Sequence, residues 1–499
     1  MAQWTAVVGT AHLARLLVPR DARTRAADAR RAPAYRELAE RVRLLLLEGR
    51  VPVAARLPAE RELAVALGVS RTTVAAAYET LRAEGFVRSR RGAGSWTAMP
   101  DGRPIPAGGL EPLPPEAAAS VIDLGCAALP APEPWLTRAF EGALAELPRF
   151  AATHGDYPAG LPLLREAVAD HFTARGVPTM PEQIMVTTGA MGAVSAAARL
   201  FGGLGERIAV EAPSYANVLQ LLRENGARLV PVPMAGADGW DTGAWRRTFR
   251  DAAPRLAYVI PDFHNPTGTL VPDARRREMV DAARSAGVVL ISDETMAELN
   301  FHPEDGVPRP LASFDHGGGT VLTAGSASKA VWGGMRIGWI RAAPELVRHM
   351  VAARAHLDMG CPVVEQLAVA WLLRGEGWTR ALQLRRELAR DNRDALVAAL
   401  RRHAPDWSFT VPGGGLTMWV RTGDLSGSRL ADAGERYGVR VPAGTRFGVD
   451  GAFEGYVRLP FAVGNAVADE AVARLAAAAE AVRTGTAGSG PLGTPTLVA

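Results

Sequence analysis

The chain has 499 residues, 48% of them hydrophobic and 22% charged, which is enough for a small domain and a large one. No stretch approaches the roughly eighteen consecutive apolar residues of a membrane span, and the first twenty residues lack the order of a secretory leader, so a membrane or exported protein is not expected. Two cysteines, Cys126 and Cys361, are too few for a disulfide framework or a zinc centre, and the net charge of +4 conceals a division: the first hundred residues carry +8 and the remainder −4.

Residues 1–33 alternate Ala and Arg with little apolar periodicity and read as a poorly ordered arm. From Tyr35, Leu38, Val42, Leu45 and Leu46 fall at helical spacing, and Gly49 closes that helix. A second helix runs from Ala59 to Leu67 and ends at Gly68. Ser70 caps a third, which turns Val74, Tyr78 and Leu81 inward and stops at Gly85. Phe86–Arg88 and Ser95–Thr97 then read as short strands around the basic tip Arg90-Arg91-Gly92-Ala93-Gly94. Two helices joined through Gly68-Val69 leave Ser70, Arg71, Thr72 and Thr73 on an outward first turn. Arg71 there matches a guanine edge, and the hydroxyls match phosphates. A helix-turn-helix unit in a basic module points to double-stranded DNA.

Residues 99–119 hold six prolines and three glycines and read as a linker between a DNA-binding unit at 34–98 and a body at 120–482. Residues 483–499 read as a disordered tail. In the body the apolar runs Ile208–Val210, Leu229–Val232, Leu256–Ile260, Val288–Ile291 and Val321–Thr323 alternate with amphipathic stretches. The expectation is an α/β domain with a mostly parallel sheet and helices on both faces.

The body contains the chain's single lysine, Lys329, against 55 arginines. Arginine replaces lysine wherever only charge is wanted, but it cannot become the neutral amine that attacks an aldehyde. Lys329 therefore reads as a Schiff-base lysine for pyridoxal 5'-phosphate (PLP). In chain order, Thr187–Gly192 opens a helix whose amides at Ala190 and Met191 suit a phosphate. Tyr215 suits stacking on the ring, and Asn265 suits its 3'-oxygen. Asp293 suits the pyridine nitrogen, while Ser326 and Arg336 add a hydroxyl and a forked cation. Taken singly, Asn265 also reads as an Asn-Pro turn, Asp293 as a cap and Tyr215 as core. Together they follow strand ends, where ligands gather in an open α/β sheet. No metal site is expected.

Two resemblances follow from these motifs. Leu57-Pro58-Ala59-Glu60-Arg61-Glu62-Leu63-Ala64, Gly68–Val74 and Leu81–Val87 resemble the winged helix of GntR-type bacterial regulators. That resemblance implies operator contacts by Arg61, Arg71 and Thr73, with Gly92 or Gly94 near the minor groove. The body resembles the fold-type I aminotransferases over about residues 120–482. There Tyr157, in Tyr157–Leu161, is implied to reach a neighbouring subunit's phosphate, and Arg458, in Val457–Phe461, to bind an effector's carboxylate. The fusion resembles the MocR-like regulators, with wording nearest the YczR-like branch. It implies a head-to-tail homodimer, each winged helix over its partner's body, that binds an operator under the control of PLP or an amino compound; the two isolated cysteines fit a reducing cytoplasm. Thr295 departs from a tyrosine common in related enzymes and Met191 from a glutamine, which favours sensing over turnover. The alternative is a working aminotransferase fused to a DNA-binding module.

Overall fold

The computed structural model describes residues 6–18, 33–90, 94–101, 106, 110, 113, 121–234, 239–302, 304, 306–354 and 357–485. Apolar side chains at helical spacing build the N-terminal unit. Helices α1 (Thr10–Leu17), α2 (Ala34–Leu47), α3 (Glu60–Leu67) and α4 (Arg71–Ala83) enclose Leu13, Val42, Leu46, Leu63, Val74 and Leu81. Strands β1 (Val87–Arg90) and β2 (Gly94–Thr97) pair antiparallel, with Arg90 opposite Gly94. Gly68 ends α3 in the left-handed region at φ 68°, and no atom lies within 4 Å of where a Cβ would stand. Glycine is needed there for its backbone and not for space. The tip of the wing, including Gly92, lies outside the described residues.

The reading of residues 1–33 as a poorly ordered arm fails over Val7–Leu17. Val7 bridges to Arg56, and Val8, Leu13 and Leu17 are buried against α2 and α3. An eight-residue helix is marginal by itself and forms here by burying one apolar face. Residues 1–5 and 19–32 of that arm lie outside the described residues, as does most of 99–119. Leu110, inside the latter, is held at its amide and its carbonyl by Asn217, at 2.6 and 3.1 Å.

The body is built on seven strands: β3 (Ile184–Thr187), β4 (Arg207–Ala212), β5 (Arg228–Pro233), β6 (Leu256–Val259), β7 (Val289–Asp293), β8 (Val321–Ser326) and β9 (Gly338–Arg341). Their order is β3-β9-β8-β7-β6-β4-β5; β9 runs antiparallel to both neighbours and the others run parallel. Alternate residues serve opposite faces. Ala257, Val259 and Leu290 join one core, while Leu256, Tyr258 and Ile291 join the other. Apart from the edge strand β5, which is largely half-buried or exposed, the strands are buried on both sides, which explains their continuous apolar runs.

A 27-residue helix, α6 (Gly377–His403), leads to a smaller C-terminal layer. It consists of antiparallel β10 (Ser408–Phe409), β11 (Thr417–Arg421) and β12 (Tyr456–Pro460), with helices α7 (Gly427–Arg436) and α8 (Asn465–Thr484). Helix α8 runs two residues into the segment read as tail. The winged helix lies against this layer of its own chain. Arg429 pairs with Glu40 at 2.9 Å, Arg43 with Asp432 at 3.6 Å, and Glu48 is buried against Ser428 and Thr445.

Candidate functional site

Asp293 at the end of β7, Arg458, Arg385 and the loop Gly125–Ala127 surround Lys329. Ser326 closes β8 and caps the short turn Ala327–Ala330, accepting from the Ser328 amide at 3.1 Å. This aims Lys329 across the sheet's edge, where its Nζ donates to the carbonyl of Ala127. Burial lowers the ammonium from 10.5 to about 8; the nearby Arg458 and Arg385 cations add to the shift, and Cys126 and Asp293 oppose it. The residue is half-buried, and about one-tenth of its amine is neutral at pH 7.

Asp293 ends β7 as a buried carboxylate. Its Oδ2 accepts from Tyr258 Oη at 2.7 Å and its Oδ1 from the Thr295 amide at 3.1 Å. Burial, then the Asp293 charge, drives the Tyr258 phenol well above its ordinary value, so it stays a donor. Tyr215 follows β4, and burial pushes its phenol up to about 12 with Arg458, Asp293, Cys126 and Arg336 all in electrostatic range. Asn265, beyond β6, is buried with its Oδ1 unpartnered.

The anion cradle lies at the mouth of β3. Helix α5 (Gly189–Phe201) begins without a side-chain cap, leaving its first amides to another acceptor. Gly189 sits at φ 76°, and a Cβ there would stand 3.3 Å from Arg336 Nη2, which donates to Thr188 O at 3.2 Å. The guanidinium therefore lies over the open helix end, at Ala190 and Met191. Ser326 Oγ, expected at this anion, donates instead to Ile337 O at 3.2 Å.

Arg458, on β12, is 1% exposed. It donates to the Gly125 carbonyl and lies 5.3 Å from the Phe447 ring, while its Nε is unpartnered. Among the described residues no carboxylate pairs with it. Burial lowers this cation to about 10, with Tyr215, Cys126 and Asp123 opposing. A buried guanidinium with no carboxylate partner beside an amine is chemically suited to a carboxylate.

The sequence reading missed two contributors. Tyr258 stands in an apolar strand, and its hydroxyl, which needs a partner when buried, was the available signal. The loop Gly125-Cys126-Ala127 gives carbonyls to Arg458 and Lys329 on either side of an exposed thiol, and nothing in its composition announces that. Tyr157 bonds Thr153 at 3.0 Å and packs on Phe150, and none of these contacts reaches the Lys329 cluster. On the winged helix, Ser70 caps α4 through the Thr73 amide and bonds Thr72 Oγ1 at 2.7 Å. Arg61 and Arg71 are exposed, Arg71 meeting Glu60 at 3.3 Å, and Gly94 leaves room for Arg56 at the wing's base.

PLP fits these groups. The uncapped helix end beside Arg336 suits a phosphate, with no Cβ at Gly189 to crowd the guanidinium, and Asn265 Oδ1 and Arg458 Nε are buried polar atoms without a partner among the described residues. The comparisons agree. Residues 151–475 match the model for aminotransferase class I and II, and residues 34–96 that for bacterial regulatory proteins of the gntR family. The chain is 30% identical over 416 residues to YisV of Bacillus subtilis, an uncharacterized HTH-type transcriptional regulator, covering 78% of this chain and 84% of that protein. It is 28% identical to MocR of Rhizobium meliloti, a probable rhizopine catabolism regulatory protein, over 75% of this chain and 78% of that one. Among solved structures, LysN of Thermus thermophilus, an α-aminoadipate aminotransferase complexed with N-(5'-phosphopyridoxyl)-L-leucine, superposes with TM-score 0.66 at 29% identity, over 74% of this chain and 94% of that one.

Proposed function

The chain belongs to the class I and II aminotransferase family with a gntR-family module ahead of that body, a PLP-dependent DNA-binding regulator, and from this premise we propose that Lys329 bonds the coenzyme and Arg458 reads an amino-acid effector. The observation that carries the proposal is the buried, carboxylate-free guanidinium of Arg458 next to the chain's only lysine amine. When bound, the coenzyme supplies an aldehyde to that amine and a ring that draws electron density from it.

The chain's own groups divide the rest of the work. The α5 amides and Arg336 bind the phosphate, and Asp293, steadied by Tyr258 and the Thr295 amide, holds a proton at the pyridine nitrogen. Tyr215 bounds the site, Asn265 offers its amide to the ring's oxygen, and Lys329 waits half-buried and partly neutral. Arg458 then distinguishes a carboxylate-bearing amine from the coenzyme alone. Ser70, Arg71, Thr72 and Thr73, with Arg61 and the wing at Gly94, meet the operator. A second copy of the chain, reached by Tyr157, completes a homodimer that matches paired half-sites.

The test is operator selection from random duplexes with the full chain, followed by binding measured with no coenzyme, with PLP, and with PLP plus each amino acid. The proposal expects operator affinity to change with at least one ligand; identical affinities throughout would refute it. The intact Lys329 and Asp293–Tyr258 pair supports a second reading as a working aminotransferase. Sustained turnover at about 1 per second or faster, on adding an amino acid and then a keto acid, would favour it.

A further inference from the structure

The short helical turn Gly444–Phe447 touches both the effector anchor and the winged helix. Toward the site, the Phe447 ring lies 5.3 Å from the Arg458 guanidinium and edge-on to Trp419 at 5.5 Å. Its carbonyl accepts from the Ser214 amide at 2.9 Å, one residue before Tyr215. Toward the winged helix, Thr445 Oγ1 donates to Glu48 Oε1 at 2.8 Å and Arg446 Nη2 donates to Leu47 O at 3.0 Å. Glu48 caps the C-terminus of α2, is buried, and also meets Arg50 at 3.3 Å.

This turn has no slack. A Cβ on Gly444 would fall 2.3 Å from Phe453 O, and on Gly448 2.8 Å from Ala452 O, so backbone presses on both ends. Close-packed segments respond to a push by moving between arrangements and not by stretching. The push is available because an anion competes with the Phe447 ring for the same guanidinium.

Resting on the reading of Arg458 as a carboxylate anchor, we propose that Gly444–Phe447 is the link between effector and operator. A carboxylate drawn to Arg458 shifts Phe447, and Thr445 and Arg446 carry that shift to Glu48 and Leu47 at the end of α2. Phe447 and Thr445 are thus positioning residues.

The experiment uses the full chain and amide hydrogen exchange at Glu48, Gly49 and Arg50, whose N–H groups bond Leu44, Leu46 and Leu45 carbonyls. The probe is N-(5'-phosphopyridoxyl)-L-leucine, and its control is pyridoxamine 5'-phosphate, which lacks the carboxylate. Exchange at these amides is expected to change about fivefold or more with the leucine conjugate and little with the control. Thr445→Val should bind the conjugate within about twofold of the parent and lose the exchange change, because the substitution touches no ligand-facing group. Glu48→Gln, on the winged-helix side, should lose it too, whereas Arg429→Ala, which weakens docking elsewhere, should keep it. If the conjugate binds but the parent's amides do not respond, or Thr445→Val and Glu48→Gln both transmit the full change, the link is refuted. If calorimetry finds no binding of the conjugate to the parent chain, the effector reading itself falls and takes this proposal with it.

Discussion

Lys329 offers the most direct measurement. An amine with a value of about 8 is about one-tenth neutral at pH 7, whereas one at 10.5 is neutral about three times in ten thousand, a difference of about 300-fold. Because only the neutral amine attacks an aldehyde, that factor carries into the capture rate. The assay mixes the coenzyme-free chain with PLP across the neutral to alkaline range, quenches with borohydride at timed intervals, and counts the modified Lys329 peptide by mass spectrometry. Half-maximal rate is expected near pH 8, with a plateau above, and Lys329→Arg should capture nothing. A half-maximum near pH 10, or an adduct on any other residue, would refute the reasoning. The sign of the accompanying stability effect is also fixed. The folded value lies below the unfolded 10.5, so between about pH 8 and 10.5 the unfolded chain binds more protons, and the coenzyme-free fold should gain stability as pH rises through that window.

Gly189→Ala forces a side chain into the left-handed region against Arg336, at about 1–2 kcal/mol. Coenzyme affinity, followed by fluorescence titration, should fall by the matching factor. Arg458→Met should cost the leucine conjugate about 2–5 kcal/mol by calorimetry while sparing pyridoxamine 5'-phosphate. Leu13→Ala should destabilise the winged helix by about 2–5 kcal/mol in denaturant melts, where a loose arm predicts no effect. Arg71→Ala should lose about 1–3 kcal/mol of operator binding and relax preference at one base pair, measured against single-base operator variants.

Much of this was legible because the physics was local. The five apolar runs read as strands all appear within the seven-stranded sheet, and four of them do so because a strand buried on both faces needs an unbroken apolar run; the fifth, Leu229–Val232, forms the edge. Ser70, Gly68 and Gly85 marked helix ends through capping and turn chemistry. Lys329, Asp293 and Asn265 stood out because each follows such a run. What escaped was set by distant partners. The stripe Val8, Leu13 and Leu17 is too short and too diluted with Ala and Arg to show without the α2 and α3 surfaces that bury it. The antiparallel β9 between β3 and β8 depends on pairing, not on composition. The contacts of the Ser326 hydroxyl with its own turn and with Ile337 O, eleven positions on, also depend on the fold and not on composition. The Glu48 contacts join residues about 400 positions apart, beyond any pattern in the chain.

The joining of winged helix and body in one chain has a consequence for behaviour at low copy number. Reader and sensor are one polymer, so their encounter is governed by the tether and not by how many molecules a cell holds. Dilution that would separate two independent proteins leaves these two units joined, so the reader keeps a high effective concentration of sensor beside it even where a handful of copies serves one operator.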